Sequence, residues 1–213
     1  GVHRPGAFGQ WVAVPESAVH PVPADMNPYR AALTEPLACS LRAARRAMEE
    51  SPFANVLVFG AGGIGLLSAM TARILGASGI MIADTNNARL DMALSLGFDH
   101  AVNPREQSLE ARIREAFGDR GVDVIIDAAG FQPTREAAMR VVNPGGTIMN
   151  IGLGIDDTTV PINVQIRNEI RILGSFCYSR QDFRDALALL VSGKITEEGW
   201  TEIRPMSQGA EAF

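Results

Sequence analysis

The sequence predicts an α/β fold: a doubly wound parallel sheet of six strands, with a short β-rich piece ahead of it. Three observations carry this. Short apolar runs such as "VLVF", "IMIA" and "VIID" recur along the chain, each followed by a stretch with helical spacing. The runs are apolar at nearly every position, as strands covered by helices on both faces require. Glycine-rich "GAGGIG" follows the first of them directly, where a strand gives way to a helix.

In order, residues 1–27 hold "QWVAVP" and "AVHPVP", apolar pieces broken by proline that suit edge strands and turns. Residues 28–50 read as one helix, with Leu33, Leu37 and Leu41 at four-residue spacing and Arg42, Arg45 and Arg46 mostly on other faces. The alternation then begins: strand 55–60 before helix 63–75, strand 79–84 before helix 87–96, strand 100–103 before helix 107–117. It continues with strand 121–130 before helix 133–141, strand 145–153, and strand 170–176 before helix 180–192. Right-handed crossovers and a ligand outside the carboxyl ends of the strands, where the strand order reverses, go with this pattern. The closing "SQGAEAF" reads as the start of a helix with no cap, and the first residue is Gly1, so the chain reads as cut at both ends.

A length of 213 residues with 46% hydrophobic and 20% charged content suits a globular chain with a sizeable core. The net charge of -5 and the lack of basic runs argue against a nucleic-acid partner. Cys39 and Cys177 lie far apart with no CxxC spacing, which gives neither a disulfide framework nor a zinc knuckle and fits a reducing cytoplasm. Residues 53–72 carry no charge, yet four of the six residues from Gly60 to Gly65 are glycine, so strand, turn and helix explain the run better than a membrane span.

Gly60, Gly62 and Gly65 occupy the GxGxxG positions of a dinucleotide-binding Rossmann turn. The first glycine permits the tight turn, the second lets the backbone approach a pyrophosphate, and the third lets the helix pack closely on the sheet. The helix start then offers free amides and a positive dipole end to the phosphates. Asp84 ends the second strand 19 residues after Gly65, where a carboxylate accepts hydrogen bonds from the adenosine ribose. A 2′-phosphate meets a like charge there, so NAD is favoured over NADP. Asp84 also has an ordinary reading as the N-cap of the helix over "TNNARLDMA". A methyltransferase using S-adenosylmethionine shares the glycine loop, but Val58 and Phe59 stand where such enzymes commonly place an acid.

"PGAFGQWVAVP", "TEPLACSLRAARRA", "VLVFGAGGIGLL", "VDVIIDAAG" and "RNEIRILGSFCYSRQDFRDALALLVSGKI" occur in this order. The chain resembles the zinc-containing medium-chain dehydrogenases, in particular their sorbitol dehydrogenase-like polyol branch. The resemblance implies that Gly60, Gly62, Gly63, Ile64 and Gly65 line the pyrophosphate and that Asp84 and Arg89 hold the adenosine ribose. It implies that Ile151, Gly152, Leu153, Ser175 and Phe176 border the nicotinamide, with Tyr178 near the polyol pocket. Cys177 stands where that branch tends to have arginine, and Gln10 and Trp11 replace its usual glutamate and tyrosine. The family's zinc-binding cysteine, Gly-His-Glu motif and four-cysteine set are missing, and His3, His20 and His100 read as ordinary surface or turn residues. Glu35 falls where the polyol branch places an acid at the zinc site. Cys39, four residues on, shares its helix face and reads as a small buried hydrophobe.

The resemblance thus implies the NAD-binding portion of a zinc-dependent alcohol or polyol dehydrogenase that moves hydride from a secondary alcohol to NAD. It divides the chain into 1–27 (remnant of a catalytic domain), 28–50 (connecting helix), 51–192 (NAD-binding domain) and 193–213 (return toward the catalytic domain). Expected partners are a small alcohol or polyol and further copies of the chain, paired through exposed strands near "IRILGSF". This chain alone is expected to bind NAD without turning over alcohol. A zinc-free quinone or enoyl reductase of the same superfamily and a non-catalytic dinucleotide-binding module are the alternatives.

Overall fold

The computed structural model describes residues 6, 7 and 9–211; His3 lies outside them. Its six strands are β1 (Asn55–Phe59), β2 (Gly79–Ala83), β3 (His100–Val102), β4 (Val122–Asp127), β5 (Val142–Asn150) and β6 (Arg171–Gly174). They form one sheet in the order β3-β2-β1-β4-β5-β6, and every pairing is parallel. The order reverses between β1 and β4, where Phe59 stands opposite Asp127. The ladder shifts register between Val122 and Val124, opposite the Pro144-Gly145-Gly146 stretch of β5. Gly145 has φ +73° there, and Pro144 has no amide to donate.

The helices are α1 (Pro28–Ala32), α2 (Thr34–Ala47), α3 (Gly63–Ile74), α4 (Asn87–Ser95), α5 (Leu109–Phe117), α6 (Gln132–Val141), α7 (Ile162–Arg167) and α8 (Arg180–Val191). One core layer joins Val56, Val58 and Ile82 of the sheet to Ala43, Ala47, Ala69 and Leu90 of α2, α3 and α4. The other joins Leu57, Met81 and Ile125 to Ile113 and Ala138 of α5 and α6. Alternate residues of β1 thus enter opposite layers, which is why its five residues are all buried. A third cluster seals α2 against α3 and α8 through Leu37, Leu41, Leu67 and Leu190. Truncating Leu37, which has no exposed surface, costs about 2–5 kcal/mol by the usual penalty for a core leucine.

Two expectations are corrected. The single helix over 28–50 is two, α1 and α2, because Pro36 cannot bond the carbonyl of Ala32 and its ring crowds that carbonyl; α1 ends at Ala32. The amide of Leu37 resumes the ladder at Leu33 O, 3.0 Å away. The edge strands expected in 1–27 are absent from the described residues: residues 6, 7 and 9–27 are irregular chain with a few bends, a turn and one 3-10 turn over Glu16–Ala18. Its prolines remove donors, and Trp11, Val12 and Val14 stay exposed without a neighbouring strand to pair. Helix α7 was not anticipated, since six residues show too little periodicity to separate helix from loop.

Candidate functional site

The glycine turn follows from conformation and space. Gly60 leaves β1 with φ +96°, a region open to glycine at little cost. At Gly65 an added Cβ would overlap the carbonyl oxygen of Gly60, so only glycine lets α3 start this close to the strand. At Gly62 an added Cβ finds no atom nearer than Arg89 Nη1 at 4.0 Å. Gly62 is the N-cap of α3 with no side-chain cap, which leaves the first amides of the helix for something else to satisfy. From beneath, the buried hydroxyl of Ser40 on α2 donates to the carbonyl of Ile64 at 3.2 Å.

Asp84 closes the turn from the side. Its Oδ2 accepts the amide of Ala61 at 2.7 Å and its Oδ1 accepts the amide of Asn86 at 2.9 Å. Arg89 Nη1 stands 4.0 Å from Oδ2. The N-cap of α4 is Asn86, whose side chain accepts the amide of Arg89, so Asp84 does not cap that helix. Asp84 instead joins the end of β2 to the glycine turn.

A cavity of about 620 Å³ lies across the carboxyl ends of β1, β2 and β4. Gly60, Gly62, Asp84 and Arg89 line it, together with Arg105, Phe131 and Thr134, which sequence reasoning did not single out. It spans the point where the strand order reverses, the usual ligand position in an open α/β sheet. Gly63 and Ile64 form the first turn of α3 above it.

Asp127 was missed as well. It has no exposed surface, and its Oδ1 accepts the amides of Ala129 and Gly130 at 3.0 and 2.9 Å, while Thr134 Oγ1 donates to Oδ2 at 3.0 Å. Its backbone carbonyl accepts the amides of Ile151 and Gly152, which fixes the loop after β5 against the loop after β4. Burial pushes its carboxyl group above the ordinary carboxylate range, with the three hydrogen bonds and Arg135 working against that rise. The signal was available: Asp127 ends an apolar strand just as Asp84 directly follows one.

The remaining candidates do not line this cavity. Ile151, Gly152 and Leu153 follow β5, and Ser175 and Phe176 follow β6. Leu153 and Phe176 are 81% and 69% exposed, while the Ser175 hydroxyl is buried without a partner. Glu35, Cys39, Cys177 and Tyr178 form a separate group. The Cys39 thiol donates to Glu35 Oε1 at 3.8 Å, and Tyr178 leans on Phe183, which also stacks with His20. Burial first, and the Glu35 charge second, push both the Cys39 thiol and the Tyr178 phenol up to about 12. Cys39 is half-buried and Glu35 exposed. Among the described residues no group of three or more His, Cys, Asp or Glu side chains is placed to hold a metal ion. His100 packs edge-on against Phe117. No described helix is long and apolar enough to cross a membrane.

Comparison with known proteins agrees with this geometry. D-xylulose reductase A of Aspergillus oryzae is 31% identical over 98% of this chain, and the chain spans 59% of that relative's length. A protein of Sinorhizobium meliloti described as a zinc-binding dehydrogenase, solved with NADP, superposes with a TM-score of 0.82 at 28% identity, over 91% of this chain and 57% of its own. The fold alone is shared with the alcohol dehydrogenase of Aeropyrum pernix, with a TM-score of 0.87 at 23% identity over 97% of this chain and 60% of that one. The family profile described as "Zinc-binding dehydrogenase" matches residues 63–192, more than half of the chain, from the glycine turn through α8. The chain belongs to the zinc-binding dehydrogenase family.

Proposed function

We propose that this chain supplies the NAD site of an alcohol or polyol dehydrogenase, in which hydride passes from a secondary alcohol to the nicotinamide. The observation that carries the reading is the space at Gly62: the backbone there is open to the cavity, beside uncapped amides at the start of α3. That arrangement fits a pyrophosphate. NAD, when bound, takes up the hydride; the chain's part is to bind and orient it. Gly60, Gly62, Gly63, Ile64 and Gly65 shape the pyrophosphate cradle. Asp84 retains lone pairs for the ribose hydroxyls beyond its two backbone donors, and Arg89 stands beside it. Ile151, Gly152, Leu153, Ser175 and Phe176 border the nicotinamide, and Tyr178 faces the substrate.

The relatives' name, D-xylulose reductase, supports a polyol and its ketose as the substrate pair. The described residues do not furnish a zinc site. We assign Glu35 to the border of the zinc site of the whole protein. We divide the chain as 1–27, 28–50, 51–192 and 193–213, with the dinucleotide site in the third part. The unpaired outer edge of β6 and exposed Phe176 support pairing of copies through that strand, and the free thiols Cys39 and Cys177 support a reducing cytoplasm.

One observation favours the second reading, a zinc-free reductase using NADPH: Arg105 joins Arg89 at the cavity, two cations against one carboxylate. Titration with NADH and NADPH tests the cofactor that each reading requires. NADH binding at least about tenfold tighter supports the first reading, and NADPH binding tighter overturns it.

A further inference from the structure

The first turn of α3 is built from Gly63, Ile64 and Gly65 with Gly62 as its cap, and no side chain caps it. Glycine is the weakest helix former after proline, so the turn that offers its amides to the cavity depends on tertiary contacts for its shape. Ser40 holds it through Ile64, as described above. Trp200 stands beside it. A Cβ added at Gly63 would lie 3.9 Å from Cζ3 of Trp200, and the indole packs against the two clusters that contain Leu66 and Leu67 of α3.

Trp200 is itself held. Its Nε1 donates to the carbonyl of Thr196 at 2.8 Å, and Thr201 Oγ1 donates to the carbonyl of Glu197 at 2.6 Å. The Glu197 carboxylate accepts Asn27 Nδ2 and Arg30 Nε, each at 2.6 Å, which ties this segment to α1. Ile195 anchors the same segment in the core with Leu37 and Leu190. The stretch from Ile195 to Thr201 is thus a strap from α1 to the first turns of α3.

We propose that Trp200 is a positioning residue for the dinucleotide: it holds the glycine-built first turn of α3 so that its amides meet the pyrophosphate. The inference rests on the NAD reading above. Trp200 bears on α3 and not on Asp84 or Arg89, so it governs the phosphate contacts and spares recognition of adenosine.

The test is calorimetric titration of NADH, with adenosine binding followed by NMR, for the 213-residue chain and its Trp200→Ala variant. Trp200→Ala is expected to bind NADH about tenfold more weakly and adenosine within about twofold of the parent. NADH binding unchanged, or NADH and adenosine weakened alike, overturns the inference and leaves the NAD reading standing. A parent chain that binds neither overturns the NAD reading, and this inference with it. In a Trp11→Phe chain, where Trp200 is the remaining tryptophan, its emission is expected to respond to NADH and not to adenosine. This measurement needs no change at residue 200, and an emission indifferent to NADH overturns the proposal.

Discussion

Asp84 Oδ2 accepts the amide of Ala61 at 2.7 Å, so the acid that follows the second strand is bonded to the glycine turn that follows the first. The two halves of the dinucleotide signature are one hydrogen-bonded unit before any ligand arrives. In the proposed function, recognition of the ribose and the shape of the pyrophosphate cradle depend on the same carboxylate.

Asp84→Ala leaves the amides of Ala61 and Asn86 without their acceptors. The expected cost is about 1–3 kcal/mol of stability, since the side chain is largely buried and both bonds run to a charged group. NADH affinity is expected to fall at least about tenfold. Chemical denaturation and calorimetric titration read the two losses. A variant that keeps its NADH affinity contradicts the assignment of Asp84 to the ribose.

Gly65→Ala places a methyl group on the Gly60 carbonyl oxygen, a backbone atom and not the end of a flexible side chain, so the turn itself must shift. We expect a loss of about 2–4 kcal/mol, read as a lower denaturation midpoint with an unchanged slope. Gly62→Ala meets no such obstruction, because Gly62 has an ordinary φ of -78° and open space in front of it. It is expected to fold as the parent does.

Two carboxylates impose opposite pH trends. Burial works to raise Asp182, but the bonds from Ser179 and the Arg42 guanidinium outweigh it and hold it below the ordinary range. Its folded value lies below its unfolded one, so the stability it adds is present above the unfolded value and is lost as pH falls through the folded one. Asp127 is raised by burial, so its folded value lies above the unfolded one, and stability declines as pH rises between them. Asp127→Asn is expected to remove that decline and leave the acid-side loss. Asp182→Asn is expected to blunt the acid-side loss while lowering stability at neutral pH. Denaturation midpoints taken from pH 3 to pH 7 would show both trends, and an identical pH profile in all three proteins contradicts the assignment.

Sequence reading reached what periodicity and local sterics determine. The six strands were legible because runs such as "VLVF" and "VIID" are apolar on both faces, and the tight turn between β1 and α3 because it needs glycine at 60 and 65. The break at Pro36 was legible in principle, but the four-residue leucine spacing that runs across it masked the change from α1 to α2. Asp127, Arg105 and Trp200 escaped because their roles come from chain crossings. Asp127 joins the loops after β4 and β5, Arg105 arrives after β3, and Trp200 returns from beyond α8. Edge strands were expected before residue 28 because alternation favours them, but a strand also needs a neighbour to pair with.

The most direct measurement is calorimetric titration of NADH into the 213-residue chain beside its Gly62→Ala variant. The predicted result is saturable one-to-one binding by the parent and binding at least about tenfold weaker by an equally stable Gly62→Ala, because a methyl group there stands where the pyrophosphate is proposed to approach. Absence of saturable binding by the parent, or equal affinity in the two proteins, would contradict the assignment of this cavity to a dinucleotide.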